Sequence, residues 1–332
     1  MASSKGSKRT DKTQKVVKKA VKSAVSGGKK KKGGAANKKL IIAVAVIVVI
    51  LIIALLAVYF IKPEIYAPLL EILGIKKPES DNKPGLSEGT LQMSVIDVGQ
   101  GDCIFIAFPD GQTMIMDAGT ELGTPSRESD IAQVIDDMQI SAIDYLFITH
   151  SDYDHVRYAA SLLAKYEFKN IYIPKVADDM SATWTKTIQA IRDEKYTDGG
   201  QNKSAEINYN IGEYTISGQA WKMRCYSYDE EDYPDVKKSS SALVKNAVSP
   251  VCLLEYAGRT IILTGDSNER NEPYLINKGH FDNVDADVLK VAHHGSKTST
   301  CDEFLDKVDC EYAIVSYGDG NDYGHPTPEL MG

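Results

Sequence analysis

Residues 40–61 read LIIAVAVIVVILIIALLAVYFI, 22 consecutive residues without a charge. A helix of that length, rising ~1.5 Å per residue, covers ~33 Å and spans a bilayer core of ~30 Å. Tyr59 and Phe60 stand near one end, where aromatic rings settle at the lipid–water interface. A cleaved signal peptide has a shorter apolar region, ~7–15 residues, followed by small residues. Here Lys62-Pro63-Glu64 follows instead. A buried soluble helix would show a polar face, and this segment has none. It therefore reads as one uncleaved transmembrane helix. It divides the chain into a tail (1–39), a stalk and linker (62–89) and a folded domain (90–332).

Charge divides the chain in the same way. Residues 1–39 hold 14 Lys/Arg and one acid, Asp11, whereas residues 62–332 hold 24 Lys/Arg and 45 Asp/Glu, a net of −21. Seven lysines lie in residues 20–39 and three (Lys62, Lys76 and Lys77) in residues 62–81. Lys/Arg excess marks the cytoplasmic side, so the tail is expected inside and the domain outside. The Lys/Gly/Ala-rich tail reads as disordered and drawn to anionic lipid. A region of net −21 is not a general nucleic-acid-binding surface, because phosphate contacts need clustered Lys/Arg. The five cysteines (Cys103, Cys225, Cys252, Cys301 and Cys310) are an odd number, so at least one thiol has no partner within the chain. Cys301 and Cys310 are candidates to pair, and the absence of CxxC argues against a cysteine zinc site.

Residues 63–73 extend the membrane helix or form a short stalk, and 76–89 (KKPESDNKPGLSEG) have linker composition. From Thr90 onward, short apolar runs alternate with helical stretches. Strands are expected at 91–97, 103–108, 112–116, 143–149, 170–173, 251–256, 260–264, 287–292 and 312–316. Helices are expected at 128–139, 156–166, 181–194 and 269–278. YAGR at 256–259 marks a hairpin turn, and 228–241 reads as a polar loop. This is one α/β domain.

Four of the six histidines form two close pairs, each just after an apolar run. In Thr149-His150-Ser151-Asp152-Tyr153-Asp154-His155, four side chains of metal-ligand type lie within six residues. His150 and Asp152 can face one way from an extended start, and Asp154 and His155 another as a helix begins, which suits two adjacent ions. Alone, the segment equally suits a helix-capping Asp beside solvated histidines. Leu263-Thr264-Gly265-Asp266 leaves Asp266 at a strand's carboxyl edge, although a Gly-Asp turn explains it as well. In DVLKVAHHGSKTST (287–300), His293 and His294 point in different directions. One is expected to bind a metal and the other to orient substrate or protonate a leaving group. Read alone, the pair equally suits two solvated rings at a strand end, with Ser296 following in the same loop. His325, in Asn321-Asp322-Tyr323-Gly324-His325-Pro326, and His280 read alone as surface residues. Gln100 and Asp102 lie in the Gly-rich turn DVGQGD, and Asp117 ends a strand, placed to accept a hydrogen bond from a ligand histidine. Structural turns explain both pieces as well. Loops at strand ends are where a sheet scaffold collects catalytic groups.

With these pieces in order (DVGQGDC, MDAG, THSDYDH, LTGD, DVLKVAHHGSKTST and NDYGHP, over residues 91–326), the chain resembles the metallo-β-lactamase superfamily. It is most similar to the hydrolase domain of the ComEC family of competence proteins. The resemblance implies an αββα sandwich with two divalent ions, Zn²⁺ or Mn²⁺, at one edge. His150 and Asp152 would bind one ion, Asp154 and His155 the other, with Asp266 bridging and His293 or His294 completing the second site. Catalytic roles fall to Asp154, His293 and His294. Supporting or substrate contacts fall to Asp117, Gln100, Asp102, Ser296 and His325. The chain departs from the pattern in one respect that bears on the metals: no histidine lies between His155 and His280, where many members of the superfamily supply a further ligand. Val156-Arg157-Tyr158-Ala159 also stands where glycines are common, so Arg157 and Tyr158 are expected to crowd the site or touch substrate.

The expected function is that of an exported, membrane-anchored, metal-dependent hydrolase. It would be a phosphodiesterase or nuclease whose substrate is a phosphodiester such as single-stranded DNA. The alternatives are an envelope phosphodiester or ester hydrolase and a non-catalytic metal-binding module.

Overall fold

The runs IFIA and TMIM are buried at every position, as strands covered on both faces must be. They form the centre of an antiparallel meander of β1 (Gln92–Val95), β2 (Ile104–Ala107) and β3 (Thr113–Met116). The computed structural model to which they belong describes residues 89–120, 125–239 and 241–331. The expected tail (1–39), membrane helix (40–61) and stalk and linker through residue 88 lie outside the described residues. Among the described residues no helix is long and apolar enough to cross a membrane.

The first sheet continues in parallel through β4 (Ala142–Phe147), β5 (Glu167–Ile173) and β8 (Glu206–Tyr209), in the order β1-β2-β3-β4-β5-β8. Parallel neighbours require crossover connections. These are α1 (Pro125–Asp137), then α2 (Tyr153–Val156) with α3 (Ala159–Lys165), then α4 (Ala182–Asp193) with the hairpin β6 (Lys195–Asp198) and β7 (Gln201–Ser204). The second sheet repeats the plan. β9 (Glu213–Ser217), β10 (Trp221–Tyr226), β11 (Val251–Tyr256) and β12 (Arg259–Leu263) are antiparallel, and β13 (Val288–Lys290) and β14 (Tyr312–Ile314) join in parallel. Their crossovers carry α6 (Asn271–Asn277) and α7 (Asp302–Val308); α5 (Ala242–Asn246) precedes β11. The YAGR turn joins β11 to β12 with Ala257 at φ 51° and Gly258 at φ 77°, the left-handed pair a tight hairpin uses.

Side chains alternate across each sheet and so build three layers of core. Ile104, Ile106, Met114, Met116, Tyr145 and Phe147 face Trp221, Met223, Cys225, Cys252, Leu254 and Leu263 between the sheets. On the outer face of the first sheet, Phe105, Ile115 and Leu146 pack with Ile131, Leu162 and Trp184 of the helices. On the outer face of the second, Leu253, Ile262 and Leu289 pack with Leu275, Phe304 and Val308. This is the expected αββα sandwich.

Five strands, β6 to β10, were not expected, and β5 begins at Glu167 rather than at 170. The expected strand 287–292 is cut to three residues, because the chain turns at Ala292 to deliver the histidine pair. All five cysteines are free, including Cys301 and Cys310. Cys225 and Cys252 are instead direct neighbours across β10 and β11, buried between the sheets.

Candidate metal centre

Four strands end at one place. β3 releases Asp117, β4 releases Thr149 and His150, β12 releases Asp266, and β13 releases His293 and His294. Two glycines permit the close approach. A Cβ on Gly119 would stand 1.4 Å from the Asp154 carbonyl oxygen, so only glycine lets the 117–120 turn lie against the 152–155 loop. Gly265 has φ 51°, and a Cβ there would meet the Thr149 side chain at 2.8 Å. His293 and His294 both adopt left-handed backbone, φ 49° and 54°, which costs a non-glycine residue about 1–2 kcal/mol each. This turn sends the two rings in different directions.

Hydrogen bonds orient three of the histidines with Nδ1 engaged and Nε2 free. His294 Nδ1 lies 2.9 Å from the Ser316 carbonyl oxygen, which can only accept, so Nδ1 carries the proton. His155 Nδ1 donates to Asp117 Oδ2 at 2.8 Å. The same Oδ2 accepts the Thr149 hydroxyl at 2.8 Å, leaving Thr149 Oγ1 to accept from His150 Nδ1 at 3.1 Å. Asp117 Oδ1 also accepts the Thr149 backbone N–H at 2.8 Å. Asp117 thus sets the rings of both His150 and His155, the supporting role its place in the sequence suggested.

The bare Nε2 atoms converge on Asp266. Its Oδ1 lies 3.1 Å from His155 Nε2 and 3.9 Å from His294 Nε2, which is itself 3.3 Å from Asp154 Oδ2. Its Oδ2 lies 3.7 Å from His150 Nε2 and 3.7 Å from His293 Nε2. Two ligands each ~2.1 Å from one ion at a tetrahedral angle stand ~3.4 Å apart, so these separations fit ligands that share an ion. His150 Nε2, His155 Nε2, His294 Nε2 and Asp266 Oδ1 are all buried with no well-formed hydrogen bond. Orphaned buried lone pairs facing a common point are what a metal ligand set requires. His150, His155 and Asp266 form one candidate cluster, and Asp154, His155 and His294 another; a third, Asp102, Asp117 and His155, lies behind them.

Electrostatics agree. Burial opposes charge on His155, but the Asp266 and Asp117 carboxylates outweigh it and hold its pKa well above the ordinary value. His294 is raised in the same way, against burial, by Asp266 and Asp154. Burial, aided by His155, lowers His150 to about 4. Burial would raise Asp266 and Asp154, yet the histidines pull Asp266 well below the ordinary value and Asp154 to about 2. Asp152 is pushed up to about 6 by burial and by the charges of Asp154 and Asp266. A buried excess of carboxylate is stabilised by a divalent cation.

The remaining sequence candidates occupy the rim or the support. Asp152 starts α2 without capping it through its side chain. Asp102 pairs with the fully buried Lys290 at 2.8 Å, with its other oxygen 3.7 Å from His294 Nδ1. Gln100 Oε1 accepts the Gly318 N–H at 3.0 Å and so holds the 316–327 loop over the centre. Ser296 is bonded to the Thr298 hydroxyl rather than aimed into the centre. His325 is not a detached surface residue: its ring lies 5.3 Å from that of His293 and stacks on the exposed Tyr323. His280 is half-buried, stacked on Tyr226, and takes no part. Arg157 lies over the Tyr153 ring, and Tyr158 packs against the core beneath the first sheet.

Five supporting residues were not singled out from the sequence: Thr149, Asn246, Ser249, Lys290 and Ser316. Lys290 alone carried a signal, a lone lysine in the apolar run DVLKVA. Asn246 Nδ2 donates to Asp266 Oδ2 at 3.0 Å and lies 3.3 Å from His293 Nε2, and Ser249 Oγ accepts the Asp266 N–H at 3.3 Å.

Residues 96–215 match the model of the metallo-beta-lactamase superfamily. The chain is 31% identical over 258 residues to ComE operon protein 3 of Bacillus subtilis (strain 168), covering 74% of this chain and 30% of that protein. It is 26% identical over 248 residues to Recombination protein 2 of Haemophilus influenzae, covering 74% and 26%. The chain thus spans less than a third of the length of these curated relatives. Among solved structures, the metallo-beta-lactamase fold protein YhfI from Bacillus subtilis aligns with a TM-score of 0.43 at 10% identity, over 73% of this chain and 92% of that one.

Proposed function

Because the chain carries a metallo-beta-lactamase domain and is related to ComEC-family competence proteins, we propose that it is a membrane-anchored, extracytoplasmic hydrolase with a dinuclear metal centre, a phosphodiesterase or nuclease. The observation that carries this reading is the convergence of three bare, buried Nε2 atoms on the Asp266 carboxylate. Asp154, His155 and His294 would hold one ion, and His150 and His293, with Asp152 from the rim, the other, with the Asp266 carboxylate serving both. Bound there, Zn²⁺ or Mn²⁺ supplies Lewis acidity toward a phosphoryl oxygen and eases the ionisation of water.

The chain's own residues do the rest. Asp117, Thr149 and Ser316 fix the rings, so that each Nε2 faces the centre before substrate arrives. Asp154, a third exposed, orients the attacking water through Oδ2. His293, a fifth exposed, stands at the mouth beside His325. From there its ring contacts a phosphoryl oxygen or returns a proton to the leaving oxygen.

Kinship favours single-stranded DNA as substrate. The net charge of −21 over residues 62–332 favours the second reading, an envelope phosphodiester or ester. Purified protein supplied with Mn²⁺ or Zn²⁺ is to be assayed on single-stranded DNA, a lipid-linked phosphodiester and a lactone. Cleavage of DNA that is lost in Asp154→Ala and on chelation supports the first reading, and turnover of the others alone supports the second. Metal binding without turnover of any points to a non-catalytic module, and no bound transition metal refutes a metallohydrolase. The anchor and orientation are tested by a reporter fused after Gly89, expected to be active only outside the cytoplasm.

A further inference from the structure

The geometry points to two unequal metal half-sites, with the amide of Asn246 acting as a plug in the weaker one. This rests on the dinuclear reading above. The half-site on the Oδ1 side of Asp266 has Asp154, His155 and His294, and no neutral donor competes for its ligand atoms. The half-site on the Oδ2 side is different. There Asn246 occupies the space between two candidate ligand atoms.

Asn246 is buried, 3% exposed, at the end of α5. Its Nδ2 stands 3.0 Å from Asp266 Oδ2 and 3.3 Å from His293 Nε2. An amide nitrogen has two protons and accepts nothing. One proton goes to each of these two ligand atoms, so the NH₂ group takes the place a cation would take between them. Asn246 Oδ1 is left buried with no hydrogen bond. No such amide stands on the Oδ1 side, where His155 Nε2 and His294 Nε2 face the carboxylates of Asp266 and Asp154.

An ion entering the Oδ2 side must displace the Asn246 hydrogen bonds, and an ion entering the Oδ1 side meets no such amide. A hydrogen bond to a charged group is worth roughly tenfold to a hundredfold in an equilibrium. The first ion is therefore retained and the second is exchangeable, bound weaker by about that factor. Asn246 is a positioning residue that sets how readily the centre becomes dinuclear.

The test is a metal titration of the full chain, stripped by chelator and followed by calorimetry with Mn²⁺ and with Zn²⁺. Metal is also counted by mass spectrometry after dialysis. One ion per chain is expected to survive dialysis, with a second binding roughly tenfold to a hundredfold more weakly. Asn246→Ala removes the plug and should bring the second affinity toward the first. Asn246→His adds a nitrogen ligand and should leave two ions after dialysis; thermal melts of both variants check that the fold is kept. Two equally tight ions in the wild type, or a second ion weakened by Asn246→Ala, overturns the inference. The second outcome makes Asn246 a ligand rather than a plug. Failure to bind any ion overturns the dinuclear reading itself, a different result from two equal sites.

Discussion

Replacing Asp117 by Asn tests whether one buried carboxylate organises the centre. Asp117 is 1% exposed and has φ 57°, a conformation that Asn also tolerates, so the substitution changes charge and hydrogen bonding more than shape. The carboxylate accepts three hydrogen bonds, from Thr149 N, Thr149 Oγ1 and His155 Nδ1. In either orientation the Asn amide turns an NH₂ group toward one or two of those donors. At least one bond is lost, and the others lose their charge assistance. With ~1.5–3 kcal/mol for a hydrogen bond to a charged group, the cost is about 2–4 kcal/mol. Asp117→Ala removes all three bonds and adds ~1–2 kcal/mol for a non-glycine residue in left-handed backbone, against a total stability of ~5–15 kcal/mol. The assay is urea unfolding with chelator present, so that fold stability is read apart from metal binding. A metal titration on the same protein should show roughly 10–100-fold weaker affinity, the usual effect of losing a partner that orients a ligand. Thr149→Val serves as the control. It breaks the link from Asp117 to His150 but leaves the bond to His155, so its metal defect should be smaller. If Asp117→Asn unfolds within ~0.5 kcal/mol of wild type and binds metal unchanged, Asp117 does not hold the ligand histidines, and the orientation argument fails.

Three further outcomes are expected. His294→Ala should lose the retained ion, because His294 faces Asp154 and Asp266, whereas His293→Ala should keep it and slow turnover; metal counts and rates on each variant decide. Lys290→Met leaves Asp102 buried without its ion-pair partner and should cost about 3–5 kcal/mol by urea unfolding. The double variant with Asp102→Asn should regain much of that, and if it does not, the pair is not the source of the loss. Burial raises Glu194 from 4.5 to about 7, although it accepts the Phe168 N–H at 2.9 Å. The folded protein therefore binds this proton more tightly than the unfolded chain, so stability should fall as pH rises from about 4.5 to about 7 and then level off. At ~1.4 kcal/mol per pH unit the window amounts to at most about 3.5 kcal/mol, and Glu194→Gln should flatten that part of the pH–stability curve.

How much of this was legible depended on whether the signal was local. The strands at 92–95, 104–107, 113–116 and 251–263 announced themselves because each is apolar and bounded by Gly-containing turns. The strands β6 to β8 did not. KYTD, QNKS and EINY are mostly exposed, and they form by pairing with each other or along the edge of β5, not by burying a face. In β10 a signal was present and overlooked: in WKMRCY, Trp221, Met223 and Cys225 alternate inward.

The sequence by itself determined an α/β domain with its candidate ligands at strand ends, and the resemblance to the metallo-β-lactamase superfamily implied the sandwich. Periodicity and strand-end turns are properties of a few consecutive residues, and they place Asp117, His150, Asp154, His155, Asp266 and the histidine pair in loops at strand ends. Only the tertiary structure decided which of the two adjacent histidines faces Asp154, because that depends on the left-handed turn at 293–295 and on the Ser316 carbonyl 22 residues further on. Only the tertiary structure brought in Asn246, which lies 20 residues before Asp266 and 47 before His293, in a segment with no motif of its own. Its role exists because the connections of the second sheet carry an amide to a point between Asp266 Oδ2 and His293 Nε2. No spacing along the chain encodes that coincidence in space.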